Sequence, residues 1–146
     1  MDKIEFLFSS NKGSELKPIK NQASGGEISR LNLAIKSIIA SRTMLPTLIF
    51  DEIDSGVSGQ IALQMGRILR EISDHHQVIT ITHSAQIASR AQHHFFVYKD
   101  SAGDHTLTRL RQLDKKERIS EIAKMLSGDP PTETALNNAK ELISLN

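Results

Sequence analysis

Thr47-Leu48-Ile49-Phe50-Asp51-Glu52 is a short, unbroken apolar run that ends abruptly in two acids. Such a run reads as a buried strand of a parallel sheet. Ser55-Gly56-Val57-Ser58-Gly59 follows as a loop, and Ile61, Met65, Ile68 and Ile72 then recur at helical spacing. Val78-Ile79-Thr80-Ile81-Thr82 is a second run of the same buried type, ending at His83. Upstream, Ser24-Gly25-Gly26 precedes a helix whose Ile28, Leu31, Ile35 and Ile38 are expected to form one buried face. Ser24 stands at the N-cap position with Glu27 three residues on, the spacing of a capping box. This helix should fade near Arg42, before Pro46.

Outside this centre the pattern changes. Ile4 to Phe8 reads as a strand, and Asn11-Lys12-Gly13-Ser14 as a turn. Leu16 to Gln22 contains Pro18 and suits a loop or an edge strand. After His83 a short helix, roughly Ala85 to Ala91, leads to a strand at Phe95 to Lys99. Gly103-Asp104 marks a turn, with Thr106 to Leu110 as the hairpin partner. Two helices follow. One carries Ile119, Ile122, Ala123 and Leu126 and stops at Gly128; the other starts after Pro130-Pro131 and carries Leu136, Ala139 and Ile143. The order strand, helix, strand, helix, strand argues for an α/β domain with a largely parallel central sheet and flanking helices. A hairpin and two helices complete it. Residues 1–146 are expected to form a single domain.

The chain has 146 residues and a formal net charge of +1. That length suits one core. Hydrophobic residues make up 38% and charged residues 24%, which excludes a disordered polymer. No apolar run approaches the roughly 20 residues of a membrane span. No secretory signal pattern opens the chain. There is no cysteine, so disulfides, thiolate metal sites and cysteine nucleophiles are excluded. A near-neutral charge lends no support to a nucleic-acid surface.

Open α/β sheets carry ligand chemistry beyond the carboxyl ends of their strands. Asp51, Glu52 and His83 all fall there. An aspartate at such an edge can hold Mg²⁺ through water, and a glutamate can act on an attacking water; both are equally at home as ordinary loop acids. Ser24-Gly25-Gly26-Glu27 offers backbone N–H groups and a helix dipole to an anion. It also suits a plain capped helix. His83 can hydrogen-bond a phosphate, or be structural. His93 and His94 are strand neighbours and point to opposite faces, while His75-His76 lacks a third ligand. Neither pair reads as a metal site. There is no G-x-S-x-G elbow and no phosphate loop of the G-x-x-x-x-G-K-[ST] type. Arg109, Arg111, Lys115, Lys116 and Arg118 form a basic run, but Asp114 and Glu117 interrupt it, as in a solvated face.

Taken together and in order, these pieces resemble the C-terminal lobe of an ABC-type ATPase head. Ala23-Ser24-Gly25-Gly26-Glu27 is similar to the family's signature motif and Leu48-Ile49-Phe50-Asp51-Glu52 to its Walker B strand. Ile53-Asp54-Ser55-Gly56 is similar to its D-loop and Thr82-His83 to its H-loop. Within that superfamily the chain resembles the RecN family of bacterial DNA repair proteins, which are SMC-like. Asp51-Glu52-Ile53-Asp54-Ser55-Gly56-Val57-Ser58-Gly59 looks like RecN, whereas transporter ATPases favour a Ser-Ala-Leu-Asp type of D-loop. Glu27 also looks SMC-like. The segments Ile4 to Phe8 and Glu121 to Leu126 extend the resemblance over nearly the whole chain.

The resemblance implies two heads that sandwich two ATP molecules. Ser24, Gly25, Gly26 and Glu27 would bind nucleotide held by the opposite head, at its γ-phosphate. Asp51 would support Mg²⁺ through water, Glu52 would act on the attacking water, and His83 would contact the γ-phosphate as a second catalytic group. Asp54 would lie at the head–head contact. The expected cofactors are ATP and Mg²⁺, and the expected partners an N-terminal ATPase lobe or a second head, with DNA by resemblance only and no membrane. A cytoplasmic, nucleoid-associated location follows from the same source. The family's phosphate loop and coiled coil are absent from these residues. A fragment, a truncated product or half of a split ATPase is therefore expected, with Met1 as a start at the end of a coiled coil and no turnover by the chain alone. Ser84-Ala85-Gln86 stands where RecN often has a leucine-proline pair, which changes a loop and no catalytic group. The competing readings are an inactive interaction fragment that pairs with another head and, against the D-loop sequence, a transporter ATPase fragment.

Overall fold

The computed structural model of the protein describes residues 4–9, 13, 15–19, 23–43, 45–102 and 105–145. Its centre is the pair expected from the two apolar runs. Strand β3 (Thr47–Asp51) runs parallel to β4 (Gln77–Ile81), with Leu48 opposite Val78 and Phe50 opposite Thr80. Helix α1 (Gly25–Arg42) precedes β3, and α2 (Gly59–Ile72) makes the crossover to β4. A single turn of helix, α3 (Ala85–Ala88), follows His83 and is shorter than the sequence suggested. Among the described residues, two antiparallel pairs lie apart from this sheet. One joins β1 (Leu7–Phe8) to β2 (Lys17–Pro18); the other is the hairpin of β5 (Phe95–Ala102) and β6 (His105–Gln112). The turn expected at 103–104 lies outside the described residues, as does all of the expected turn at 11–14 except Gly13. The third strand of the alternating pattern, β5, therefore pairs with β6 and not with the parallel pair.

The main core lies between one face of β3–β4 and the two long helices. It gathers Leu33 and Ala40 from α1, Leu48 and Phe50 from β3, and Met65, Leu69 and Ile72 from α2, together with Ile53 and Ile87. A second core is rich in alanine. Ile122 and Ala123 of α4 (Lys115–Ser127) meet Ala135 and Ala139 of α5 (Glu133–Ser144), with Ala85 completing the cluster. Side chains this small let the helices approach closely. Caps set the helix starts: Ser24 and Asp114 each form a full capping box, and Thr132 accepts from Ala135 N–H.

Three expectations of burial need correction. The stripe Ile28, Ile35 and Ile38 is exposed, and α1 instead buries Gly26, Leu33 and Ala40. On α2, Met65 and Ile72 are buried but Ile61 and Ile68 face outward, and Ala62 and Leu69 take their place. The two parallel strands are covered on one face only, leaving Ile49, Ile79 and Ile81 about half exposed. At the N-terminus the strand shortens to two residues, with Ile4 and Phe6 exposed. No helix among the described residues is long and apolar enough to cross a membrane.

Candidate functional site

Asp51 ends β3, and the chain turns at once. Glu52 has φ +46, in the left-handed region that a residue with a Cβ rarely adopts. Its N–H donates to Ile81 O at 3.1 Å, and its own C=O accepts from Ser55 N–H at 3.0 Å. Neighbouring strand and turn thus fix the glutamate backbone between them, and a strained residue held this way is a common mark of a working site. Both carboxylates are exposed, and neither has a side-chain partner among the described residues. Two free acids fit a hydrated Mg²⁺ carried on phosphates, since that ion keeps several waters and needs only one or two carboxylates. The described residues hold no group of three or more His, Asp or Glu side chains placed to share a metal.

The turn 53–56 ties this strand end to two other elements. Its Gly56 backbone lies against the start of α1: a Cβ on Gly26 would stand 2.6 Å from Gly56 O. Gly56 itself has φ +69. Ser29 Oγ donates to Ser55 O at 3.5 Å beside this contact. On the other side of the turn, Asp54 is 1% exposed. Its Oδ2 accepts from Thr82 Oγ1 at 2.7 Å and from His83 N–H at 3.2 Å, with His83 Nδ1 at 3.4 Å. Its Oδ1 is buried with no hydrogen-bond partner among the described residues. The expected role of Asp54 at a head–head contact must reckon with this burial, because its carboxylate is enclosed and engaged within the chain. The exposed residues of that turn are Ser55 and Gly56.

At the start of α1 a carboxylate already occupies the helix N-terminus. Glu27 Oε2 accepts from Ser24 N–H at 2.7 Å and from Ser24 Oγ at 2.9 Å. The hydrogen bond from the Ser24 backbone, joined by that from its hydroxyl, holds the Glu27 carboxyl below its ordinary range. An incoming phosphate would share Ser24 with Glu27. Ser24 and Gly25 are exposed, while Gly26 is buried against Gly56. The structure therefore brings the signature-like helix start, the turn after β3 and the end of β4 into one continuous set of contacts.

His83 projects outward, with its side chain 77% exposed. Beside it, Val57, Ser58, Gly59, Ser84, Ala85, Gln86, Met125 and Leu126 line a shallow depression of about 380 Å³. The basic run is largely committed elsewhere. Arg109 pairs with Asp100 at 2.6 Å, Arg111 with Glu117 at 2.7 Å, and Arg118 donates to Ser89 O at 2.6 Å. His76 Nδ1 lies 2.7 Å from Leu45 O, and His93 Nδ1 lies 2.9 Å from Gln112 Nε2. Sequence reasoning missed the clamp of Asp54 on Thr82 and His83; the one hint was a threonine next to a histidine at a strand end.

No family model matches the chain. It is 44% identical over 142 residues to the DNA repair protein RecN of Vibrio cholerae, covering 97% of this chain and 26% of that protein. RecN of Treponema pallidum is 44% identical over 97% of this chain and 25% of its own length. RecN of Bacillus subtilis is 41% identical over 98% of this chain and 25% of its own length. The chain thus spans about a quarter of the length of the curated relatives it matches. Among solved structures, a chain from work on ATP-driven dimerization and DNA stimulated activation of SMC ATPases superposes with a TM-score of 0.60 at 23% identity, over 79% of this chain and 68% of that one. A chain from the crystal structure of the SmcHead bound to the C-winged helix domain of ScpA gives a TM-score of 0.56 at 22% identity, over 70% of this chain and 30% of that one. Over nearly its whole length the chain is similar to about a quarter of RecN, and it shares its fold with SMC-type ATPase heads.

Proposed function

We propose that this chain supplies the signature and Walker B half of an ATPase site in a RecN-like head that acts in DNA double-strand-break repair. The observation that carries the reading is the convergence of two unpartnered acids at the end of β3 with His83 at the end of the parallel strand beside it. In this reading Asp51 holds the water shell of a metal, Glu52 orients or deprotonates the attacking water, and His83 contacts the γ-phosphate. Bound Mg²⁺ would neutralise charge on the phosphates. Ser24 and Gly25 face outward to meet nucleotide held by a second head, with Gly26 fixing the helix start behind them. The sequence carries no G-x-x-x-x-G-K-[ST] loop to cradle the α- and β-phosphates, so turnover needs a complementary lobe that supplies one. Closure on ATP and release on hydrolysis would couple the head to DNA, at a cytoplasmic, nucleoid-associated location.

The uncovered apolar surface supports the partner half of this proposal. Ile49, Ile79 and Ile81 on the sheet, with Ile28, Ile35 and Ile38 on α1, are exposed in this chain. Apolar side chains left uncovered on a sheet face and on a helix suit protein contacts. The same surface favours a second reading, in which the lobe pairs with another head and performs no catalysis. Mixing separates the two. Purified chain is combined with a phosphate-loop lobe of a RecN relative, and ATP turnover is measured. Turnover in the mixture supports the catalytic reading; a stable complex with no turnover supports the second; neither complex nor turnover rejects both.

A further inference from the structure

We propose that Asp54 is the positioning residue for His83, acting from within its own chain. This rests on reading His83 as a phosphate contact and adds how that contact is prepared. Thr82 Oγ1, His83 N–H and His83 Nδ1 all converge on one oxygen of a carboxylate that is almost wholly buried. Ser84 N–H donates to Thr82 Oγ1 at 2.9 Å, so the threonine hydroxyl links the carboxylate to the next residue of the loop as well. The backbone around His83 is held on both sides, and its Nδ1 lies 3.4 Å from Asp54 Oδ2.

An anionic oxygen facing Nδ1 favours a proton on that nitrogen. The neutral ring then carries Nδ1–H toward Asp54 and turns Nε2 to the outer, exposed end. Nε2 is the nitrogen a phosphate would meet. When it takes a proton from solvent it becomes a donor to phosphate oxygen, while Nδ1–H stays on the carboxylate; no bond to phosphorus forms or breaks in this step. Asp54 also sits in the turn whose Gly56 packs on Gly26. The group that orients His83 is therefore placed by the same turn that braces the signature-like helix.

The test is a long-range proton–nitrogen correlation spectrum of the histidine side chains in the full chain. It is recorded at about pH 8.5, where exposed imidazoles are neutral. His83→Gln assigns the signal among the six histidines. The wild-type chain is expected to show His83 as the Nδ1–H tautomer, against the Nε2–H preference of a free imidazole. Asp54→Ala is expected to return it to Nε2–H, and Thr82→Ala, which leaves the carboxylate in place, to keep Nδ1–H. A wild-type His83 in the Nε2–H form overturns the proposal, whether or not Asp54→Ala folds. So does an unchanged Nδ1–H signal in folded Asp54→Ala. The spectrum needs no nucleotide. A held tautomer without ATP turnover in any mixture would remove the phosphate reading alone, and turnover with an unheld His83 would remove this inference alone.

Discussion

Gly26 and Gly56 touch through their backbones, with room for no Cβ on the first: it would meet Gly56 O at 2.6 Å. Two glycines 30 positions apart thereby lock the start of α1 to the turn after β3. In a helix, Gly→Ala ordinarily gains up to about 1 kcal/mol. Here the clash is with a carbonyl that cannot swing aside, and overpacking of that kind costs about 1–3 kcal/mol. Gly26→Ala should therefore lower stability in urea unfolding. Gly25→Ala, whose Cβ would find its nearest neighbour at 4.0 Å, should leave it within about 1 kcal/mol of wild type. Equal effects from both would contradict the contact.

Ser24 caps α1 through its side chain and takes part in a full capping box. Ser24→Ala should cost about 1 kcal/mol, the usual loss for an N-cap hydroxyl. Chemical denaturation measures this directly, and an unchanged midpoint would mean that the cap contributes nothing.

Burial, with the charge of Arg118 as a second cause, pushes the His94 imidazole below its ordinary range. The folded state therefore resists protonating this group more than the unfolded chain does. Stability from neutral His94 is complete above the unfolded value of about 6.5 and falls as pH drops through it toward the folded value. Urea midpoints should be lower at about pH 5.5 than at about pH 7.5, and His94→Gln should flatten the difference. A midpoint that rises on acidification in the wild type but not in His94→Gln would reverse the assignment.

Ile81 is 54% exposed on the open face of β4, and its backbone carbonyl anchors Glu52. Ile81→Thr keeps a β-branched side chain in the strand and should change the chain's own stability by less than about 1 kcal/mol. Loss of its apolar surface from a lobe contact should weaken pairing about tenfold, the equivalent of roughly 1.4 kcal/mol. Sedimentation with a complementary lobe reads the effect. Undiminished pairing would move the contact away from this face.

Much of this architecture was legible because it obeys short-range rules. The capping box of Ser24 and Glu27 follows from a three-residue spacing, and the β5–β6 hairpin follows from two strand-like runs around Gly103-Asp104. The parallel pair followed from two continuous apolar runs with a helix between them. Burial was harder to read. Ile28, Ile35 and Ile38 have the spacing of a buried face yet stand exposed, because periodicity records that a face is apolar and not which molecule covers it. Asp54 stood out only by resemblance, as a head–head contact; its tie to Thr82 was hidden because the two are 28 positions apart and only the fold joins them. Arg90 gave no sign of being buried, with its guanidinium turned to Leu145 O near the far end of the chain.

Glu52 is where the catalytic reading is most exposed to test. In a mixture that turns over ATP, Glu52→Gln should cut hydrolysis by about 10²–10⁴-fold, the usual contribution of a positioned base, and leave association intact. Wild-type turnover in that variant would remove Glu52 from the chemistry.

The central claim is that this chain holds one half of a nucleotide site. Calorimetric titration of Mg·ATP into the purified chain, with and without a complementary phosphate-loop lobe, tests it most directly. The expected result is heat of binding and turnover only in the mixture. Tight binding by the chain alone would contradict the account, since it would require a phosphate cradle that Ser24 to Glu27 and the ends of β3 and β4 do not provide.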